Sequence, residues 1–571
     1  MALVPFAWAL FLAVLAAAIL LTQSLVKDSW SVEAHFFWRQ DVPVLGAMLA
    51  ITLGLCFAPA SWLARLAGPP GRDARWVVPA LAATTTAAGA VGVWAVFQGY
   101  TFSLDEFLAN FDARIFASGR LAAPIAPDWR PYASAMQPMY MLPLAPSAWA
   151  SSYLPVNAAM RAVARLAHAD WLLNPLLSGF SVIATWAVGR RLWPDRPDLA
   201  LIAAALLGTS SQLIVMAMTA YAMPAHLAFN LAWLWLFLRG GKLGHAGAIA
   251  VGFLATGIHQ VAFHPLFAAP FVLQLLWRRR WGLSVLYISA YAAICLFWID
   301  YWGIATKLHG LVPADSDSTG FDYFRDRIDD VIDAMGYDSV GAMSEMLARF
   351  AAWQNLLLAP LAILGAALSI GARGALRPLV LGVFLTLVVM TIATPTQTHG
   401  WGYRYMHGLL GSACLAAAFA WGKLTAPSTR EGRAGANGAF VLACAISLVA
   451  LAPVHAVQAA RYVAPYAAAN AAIQASRADV VVVDHDSQVL FDMGTLVRND
   501  PLLRRSPKVM ALAMMTPPMV RQICADHSVD VFNGASARSF GLDIIPWRPP
   551  RRLDDLRNLM AQLRCGRTIS R

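Results

Sequence analysis

Charge is what this sequence has least of. Only 13% of its 571 residues are Asp, Glu, Lys or Arg, while 59% are hydrophobic. A soluble globular protein carries roughly 25% charged residues, so the composition excludes an ordinary soluble fold. Cysteine is sparse as well, and the six present follow no metal-ligand spacing. Cys56, Cys295, Cys414 and Cys444 lie in apolar stretches, where packing accounts for them. Cys524 and Cys565 lie in the polar C-terminal tail and form either one disulfide, if that tail is outside the cytoplasm, or two free thiols. There is no phosphate-cradling Walker loop, no zinc-protease helix, no Gly-x-Ser-x-Gly and no internal repeat. The first residues, Met1 to Gln23, have no basic segment ahead of the apolar run. They read as a retained span and not as a cleaved signal peptide.

What the sequence does have is long apolar runs. Thirteen windows are predicted to cross a membrane: 5–23, 43–63, 77–98, 171–188, 199–216, 222–238, 246–260, 263–277, 282–302, 352–371, 378–395, 403–421 and 439–458. About 20 apolar residues suffice to cross a hydrocarbon core of about 30 Å. The expected fold is mainly α, a polytopic membrane helical bundle with a small α/β soluble C-terminal domain. Twenty-one Trp and 33 Pro suit interfacial anchoring and broken segments. The Pro-rich stretch 133–156 is either re-entrant or interfacial.

The net charge of +11 is then no sign of a nucleic-acid partner, because the basic residues concentrate in short loops. One alternate set carries Arg65, Arg72 and Arg75, then Arg190, Arg191 and Arg196, and so on to Lys423, Arg430 and Arg433. The short loops of the opposite set, around 217–221, 261–262 and 396–402, carry none. The positive-inside rule places the N-terminus in the cytoplasm and the C-terminus outside it. Loops 99–170 and 303–351 then lie outside, as does the tail 459–571; the second loop is acidic, from Asp315 to Glu345. The domains expected are a membrane region, 1–458, and a soluble α/β domain, 459–571. In the tail, 479–484, 508–513 and 529–532 read as strands, with helices near 487–497, 516–526 and 553–564. The Arg-rich end, Arg548 to Arg567, suits anionic headgroups or a plain solvated surface.

The ionisable residues in the spans are His226, His259, His264, Asp300, Arg404, His407 and His455, and each falls toward the outer end of its span. Singly, such residues are interfacial groups reaching water; together they suggest an outward-facing polar cavity, which Tyr221 also borders. Two adjacent carboxylates, Asp105 and Glu106, open an amphipathic helix after the third span. Ser103-x-x-Glu106 is a capping box, with Gly119 as the C-cap. Glu106 therefore has a structural explanation that Asp105 lacks, and a capped helix start would hold Asp105 fixed as a general base. The second cluster runs from Gln397 through His399, Gly400, Gly402, Tyr403 and Arg404 to His407. An arginine at a membrane boundary suits phosphate, whose oxygens its planar fork binds in pairs, or it anchors the helix at the headgroups. Asp484-His485-Asp486 has the form of a nucleotide-sugar motif, but a polar strand end explains it in so short a tail.

Leu104-Asp105-Glu106 with the helix through Gly119, and Gly402-Tyr403-Arg404-Tyr405, resemble the acidic and arginine motifs of GT-C-type integral membrane glycosyltransferases. The aminoarabinose transferases and protein O-mannosyltransferases are of that kind. The resemblance implies a polyprenyl-phosphate-linked sugar donor, a glycan, lipid or protein acceptor, and a bacterial inner membrane with the tail in the periplasm. It assigns Asp105 as base with Glu106 assisting, so that transfer inverts the anomeric carbon. It assigns Arg404 to the donor phosphate, with His399, His407 and Tyr403 beside it and His226, His259, His264, Asp300 and Tyr221 as further cavity residues. Two spans more than in many relatives precede the acidic motif. Tyr221-Ala-Met-Pro-Ala-His226 stands where many relatives carry a second Asp, which leaves a divalent cation as an open question. The rival readings are a transporter or flippase for lipid-linked sugars, and an oligosaccharide ligase or polymerase.

Overall fold

The structure is a computed structural model that describes residues 3–25, 35–67, 74–311, 338–372, 374–394, 397, 400–484, 493–542 and 551–571. The acidic run from Asp315 to Asp333, His399, and the second and third residues of Asp484-His485-Asp486 lie outside the described residues, as does most of the expected helix 487–497. A helix occupies each of the thirteen expected spans. Eight helices among the described residues are long and apolar enough to cross a membrane. A ninth span is broken: Pro197–Gly208 and Ser211–Ala217 meet at 56°. Phe263–Trp277 and Leu358–Ser369 are shorter apolar helices. The chain is a multi-pass membrane protein.

The break at Thr209-Ser210 frees backbone groups, and side chains take their place. Ser210 accepts from Leu213 N as N-cap of the second half. Its hydroxyl donates to Gln354 Oε1 at 2.6 Å, and Asn355 Nδ2 donates to Thr209 Oγ1 at 2.7 Å. Broken helices are tolerated within a bilayer where neighbours satisfy the freed polar groups in this way. Helix packing relies on small residues. A side chain on Gly365 would strike the Ala416 backbone, and one on Gly438 would strike that of Leu63, so both positions let two helices approach closely.

The chain divides into two compact units. The first comprises Met1–Gly92, Trp171–Ile299 and Tyr323–Gln458; the second comprises Val93–Asp170, Asp300–Asp322 and Ala459–Arg571. The expected tail domain therefore has company, because the loop after the third span shares its core. Phe111 and Ile115 of the Leu104–Ala117 helix, and Trp149 from the Pro-rich stretch, cluster with Val480, Val482, Met510 and Leu556 of the tail. Trp149 Nε1 also donates to Pro501 O at 2.7 Å.

Two short strands, β1 (Ala123–Pro124) and β2 (Ala148–Trp149), pair antiparallel and close off that Pro-rich stretch. The tail strands are β3 (Val480–Val483), β4 (Lys508–Ala511), β5 (Val529–Phe532) and β6 (Arg567–Thr568). They form one parallel sheet in the order β4-β3-β5-β6. All four valines of β3 are buried. A central parallel strand covered on both faces reads as an unbroken apolar run, which is why it was visible in the sequence. Helices Pro517–Asp526 and Arg551–Gln562 follow β4 and β5 close to the expected places. Cys524 and Cys565 are disulfide-bonded.

Candidate functional site

In the first unit the Arg404 cluster is built by glutamines. Gln397 Oε1 accepts from Arg404 N and its Nε2 donates to Gly402 O, both at 2.7 Å. Arg404 Nη2 returns a bond to Gln397 O at 3.1 Å. Gly402 has φ +73° and packs against Gln212, so a side chain there would be strained and would overlap that amide. Gln212 Nε2 donates to Tyr403 O at 2.9 Å and lies 3.4 Å from His407 Nδ1. Behind it, Gln354 Nε2 donates to Gln212 Oε1 at 2.7 Å. The arginine is thus held from its own loop and from two other helical segments, with its guanidinium between the rings of Tyr221 (5.4 Å) and Tyr405 (5.2 Å).

Arg404 borders a narrow cavity of about 10 Å³ with Met223, His226, Asn230, Phe263 and Tyr405. His226 is buried, its ring lies tilted against Phe263 at 5.1 Å, and neither ring nitrogen has a hydrogen-bond partner among the described residues. His259, His264 and His407 lie within electrostatic reach of it. His264 differs in being fully satisfied: Nδ1 meets Asn230 Oδ1 and Nε2 meets Tyr291 OH, both at 2.7 Å. Its role is to brace Asn230, whose amide donates to Gly408 O at 2.9 Å. The expected residues Tyr221, His226, His259, His264, Tyr403, Arg404 and His407 all belong to this unit. Gln397 stood at the head of the expected cluster; the supports Gln212 and Asn230 were missed, although a lone amide in an apolar run was a visible signal.

The second unit holds Asp105, Glu106 and Asp300. Ser103 and Glu106 form the capping box: Glu106 N donates to Ser103 Oγ at 3.2 Å and Ser103 N to Glu106 Oε2 at 3.1 Å. Ser118 is the C-cap, and Gly119 follows with φ +74°. Glu106 is fully buried and lies near two buried arginines, Arg161 and Arg498. Burial pushes Arg161 down to about 10, and Glu106 and Asp170 oppose the shift. Burial also lowers Arg498, which donates to Thr101 Oγ1 at 3.0 Å and Phe102 O at 2.9 Å ahead of the helix. Glu106 is therefore the acid of a buried charge cluster and not a solvent-facing group.

Asp105 is half-buried and accepts from the Tyr153 hydroxyl. Two turns on, Asp112 accepts from Ser151 N at 3.1 Å and from the Ser151 hydroxyl. A seven-residue separation puts both carboxylates on one helix face, and that face carries the 151–153 segment. Trp302 Nε1 secures the same segment at Tyr153 O, 3.1 Å. Asp105 thus has a structural partner that its sequence did not reveal. Asp300 precedes the Tyr301–Leu308 helix and its side chain caps nothing.

Burial raises Asp112 from 3.8 to about 6, against the two Ser151 hydrogen bonds. At about 1.36 kcal/mol per unit, its charged form costs roughly 3 kcal/mol of stability. Because the folded-state value is the raised one, this cost is absent below about pH 4, grows as pH rises, and is fully present above about pH 6. Asp112→Asn keeps an Oδ1 acceptor for Ser151 N and turns the second contact into Nδ2 donating to the Ser151 hydroxyl oxygen, without the charge. It is expected to raise the melting temperature at pH 7.5 and to flatten the stability profile between pH 4 and 6. Thermal unfolding across that range checks this, and an unchanged profile would remove Asp112 as its source.

Among the described residues, no three His, Cys, Asp or Glu side chains gather closely enough to hold a metal ion. No family model matches the chain, and no curated protein matches its sequence. Comparison with solved structures is more informative. The crystal structure of ArnT from Cupriavidus metallidurans bound to undecaprenyl phosphate is similar over 86% of this chain and 89% of its own, with TM-score 0.51 and 13% identity. The chain has the ArnT fold. The apo structure of the same ArnT also aligns, over 80% of this chain and 87% of its own, with TM-score 0.47 and 13% identity.

Proposed function

We infer that the protein is a membrane glycosyltransferase that moves a sugar from a polyprenyl-phosphate donor to an acceptor hydroxyl or amine on the outer face of a bacterial inner membrane. The observation that carries this reading is the fold shared with ArnT, a protein crystallised with undecaprenyl phosphate. Fold alone leaves chemistry open, so the reading rests equally on the residues. Phosphate is a good leaving group; the reaction needs a base for the acceptor proton and cations for the departing phosphate. Asp105 is the base, fixed at the start of a capped helix, and a single carboxylate base inverts the anomeric carbon. Glu106 holds the local charge balance. Arg404 binds the leaving phosphate, with Tyr403 and His407 near it; the sequence offers His399 as a further candidate. The N-terminus lies in the cytoplasm and the C-terminus in the periplasm.

Arg404→Ala tests the phosphate role. Its backbone N–H bond to Gln397 Oε1 survives the change and only the Nη2 bond to Gln397 O goes with the side chain, so the loop persists while the charge is lost. Charge-assisted hydrogen bonds contribute about 1.5–3 kcal/mol each, so transfer efficiency from a polyprenyl-phosphate sugar is expected to fall about 10–100-fold or more, mainly through the donor KM. Unaltered donor dependence overturns the assignment. Loss at Arg404 with full tolerance of Asp105→Asn favours a ligase, and lipid-sugar translocation without transfer favours a flippase.

A further inference from the structure

The first unit has a second cavity, far larger than the one at Arg404. It measures about 290 Å³ and is lined by Val4, Leu55, Leu63, Trp421, Leu424 and Ala436, with Thr425 and Ser428 at its polar side. The space is open to its surroundings, and polar and apolar groups share its lining, which suits an amphipathic occupant with an apolar chain and a polar end.

Its surroundings define that occupant. The lining residues come from the beginning of the Leu3–Leu25 helix, the end of Val42–Phe57, the short helix Ala60–Leu66, the end of Leu410–Thr425 and the start of Arg430–Ile446. In the orientation expected from the loop charges, all of these meet the cytoplasmic leaflet. The short helix exposes Trp62, at 48%, and Leu66 on its way past the cavity, as an interfacial anchor does. Basic residues flank the lining: Lys423 precedes Leu424, Arg430 follows the Ser428 turn, and Arg65 lies two residues beyond Leu63. All three side chains are exposed. Arg433 Nη2 donates to Ala426 O at 3.2 Å, which draws its guanidinium across the turn that bears Thr425 and Ser428. Glu431 is the one acid in this stretch, so the charge here is net positive.

We propose that this cavity is a binding site for an anionic phospholipid, one acyl chain in the cavity and the phosphate among Arg430, Arg433 and Lys423. It is distinct from the donor site and does not depend on the transferase reading. The purified full-length protein, incubated with phosphatidylglycerol or with phosphatidylcholine of the same chains, is examined by native mass spectrometry for retained lipid. Phosphatidylglycerol is expected to be retained in preference. Arg430→Gln with Arg433→Gln, both exposed and outside the bundle core, is expected to reduce that preference about fivefold per charge removed. Ala436→Leu narrows the cavity and is expected to weaken retention of either lipid. Equal retention of the two lipids by the native protein overturns the proposal. So does undiminished preference in the double arginine variant, and so does undiminished retention in a folded Ala436→Leu protein. If Ala436→Leu does not fold, the arginine variant decides.

Discussion

Asp105→Asn is expected to fold normally and to lose sugar transfer by about 10²–10⁴-fold, the range that a positioned general base contributes. The helix start does not need this carboxylate, because the capping box is made by Ser103 and Glu106. An asparagine Oδ1 can still accept the Tyr153 hydroxyl, so the anchor to the 151–153 segment survives as well. What the amide cannot do is take a proton. The anchor itself is the competing explanation, and Tyr153→Phe separates the two. That variant keeps the carboxylate and removes its partner, so a base role predicts retained turnover with a modest loss of positioning. Matching losses in the two variants, together with matching falls in melting temperature, would make Asp105 a structural anchor. Near-native transfer by Asp105→Asn would end the base assignment outright.

The competition between base and anchor shows where the sequence stopped being legible. The capping box was readable because both partners lie within one helical turn. The spans and the central Val480–Val483 strand were readable because burial on every side leaves an unbroken apolar run. The anchoring of Asp105 was not readable, since its partner lies 48 residues away. The same holds for Glu106, whose neighbours Arg161 and Arg498 arrive from the far side of the first loop and from the tail. The Pro-rich stretch 133–156 looked re-entrant or interfacial because it is only partly apolar. Its Trp149 turns out to be buried among tail residues, a pairing that no local pattern encodes. The Arg404 loop was found through Gly402 and Arg404, but its bracing was not, because Gln212 reads as one polar residue in an apolar run until Tyr403 O is brought to it. The disulfide stood open for a similar reason: Cys524 and Cys565 are 41 residues apart, and their meeting depends on how two helices pack.

The same limit hid a buried ion pair in the first unit. Asp41 stands two residues before an expected span and Arg349 three residues before another, so neither was counted among the span residues. Their side chains are each 1% exposed and 3.9 Å apart. Trp353 Nε1 donates to Asp41 Oδ1 at 3.1 Å and its ring stacks on His455 at 4.1 Å, while Arg349 lies over Phe36 at 4.9 Å. Arg349 Nε and Nη2 have no hydrogen-bond partner among the described residues. Asp41 is therefore a direct ion-pair partner of the guanidinium, with Glu345 one turn earlier on the same helix as a second buried acid. Asp41→Ala is expected to destabilise the protein by about 3–5 kcal/mol, because it strands a buried charge and also removes the acceptor of the Trp353 indole. Replacing both partners removes the stranded charge. Asp41→Ala combined with Arg349→Met is expected to be more stable than Asp41→Ala alone, although the arginine contributes packing of its own. A double-mutant cycle on equilibrium unfolding of the purified protein measures the coupling. Additive losses, or a cost for Asp41→Ala within about 0.5 kcal/mol of zero, would mean that water or a neighbouring side chain already compensates Arg349. The pair would then be an incidental contact and not a support for the Phe36, Trp353 and His455 packing around it.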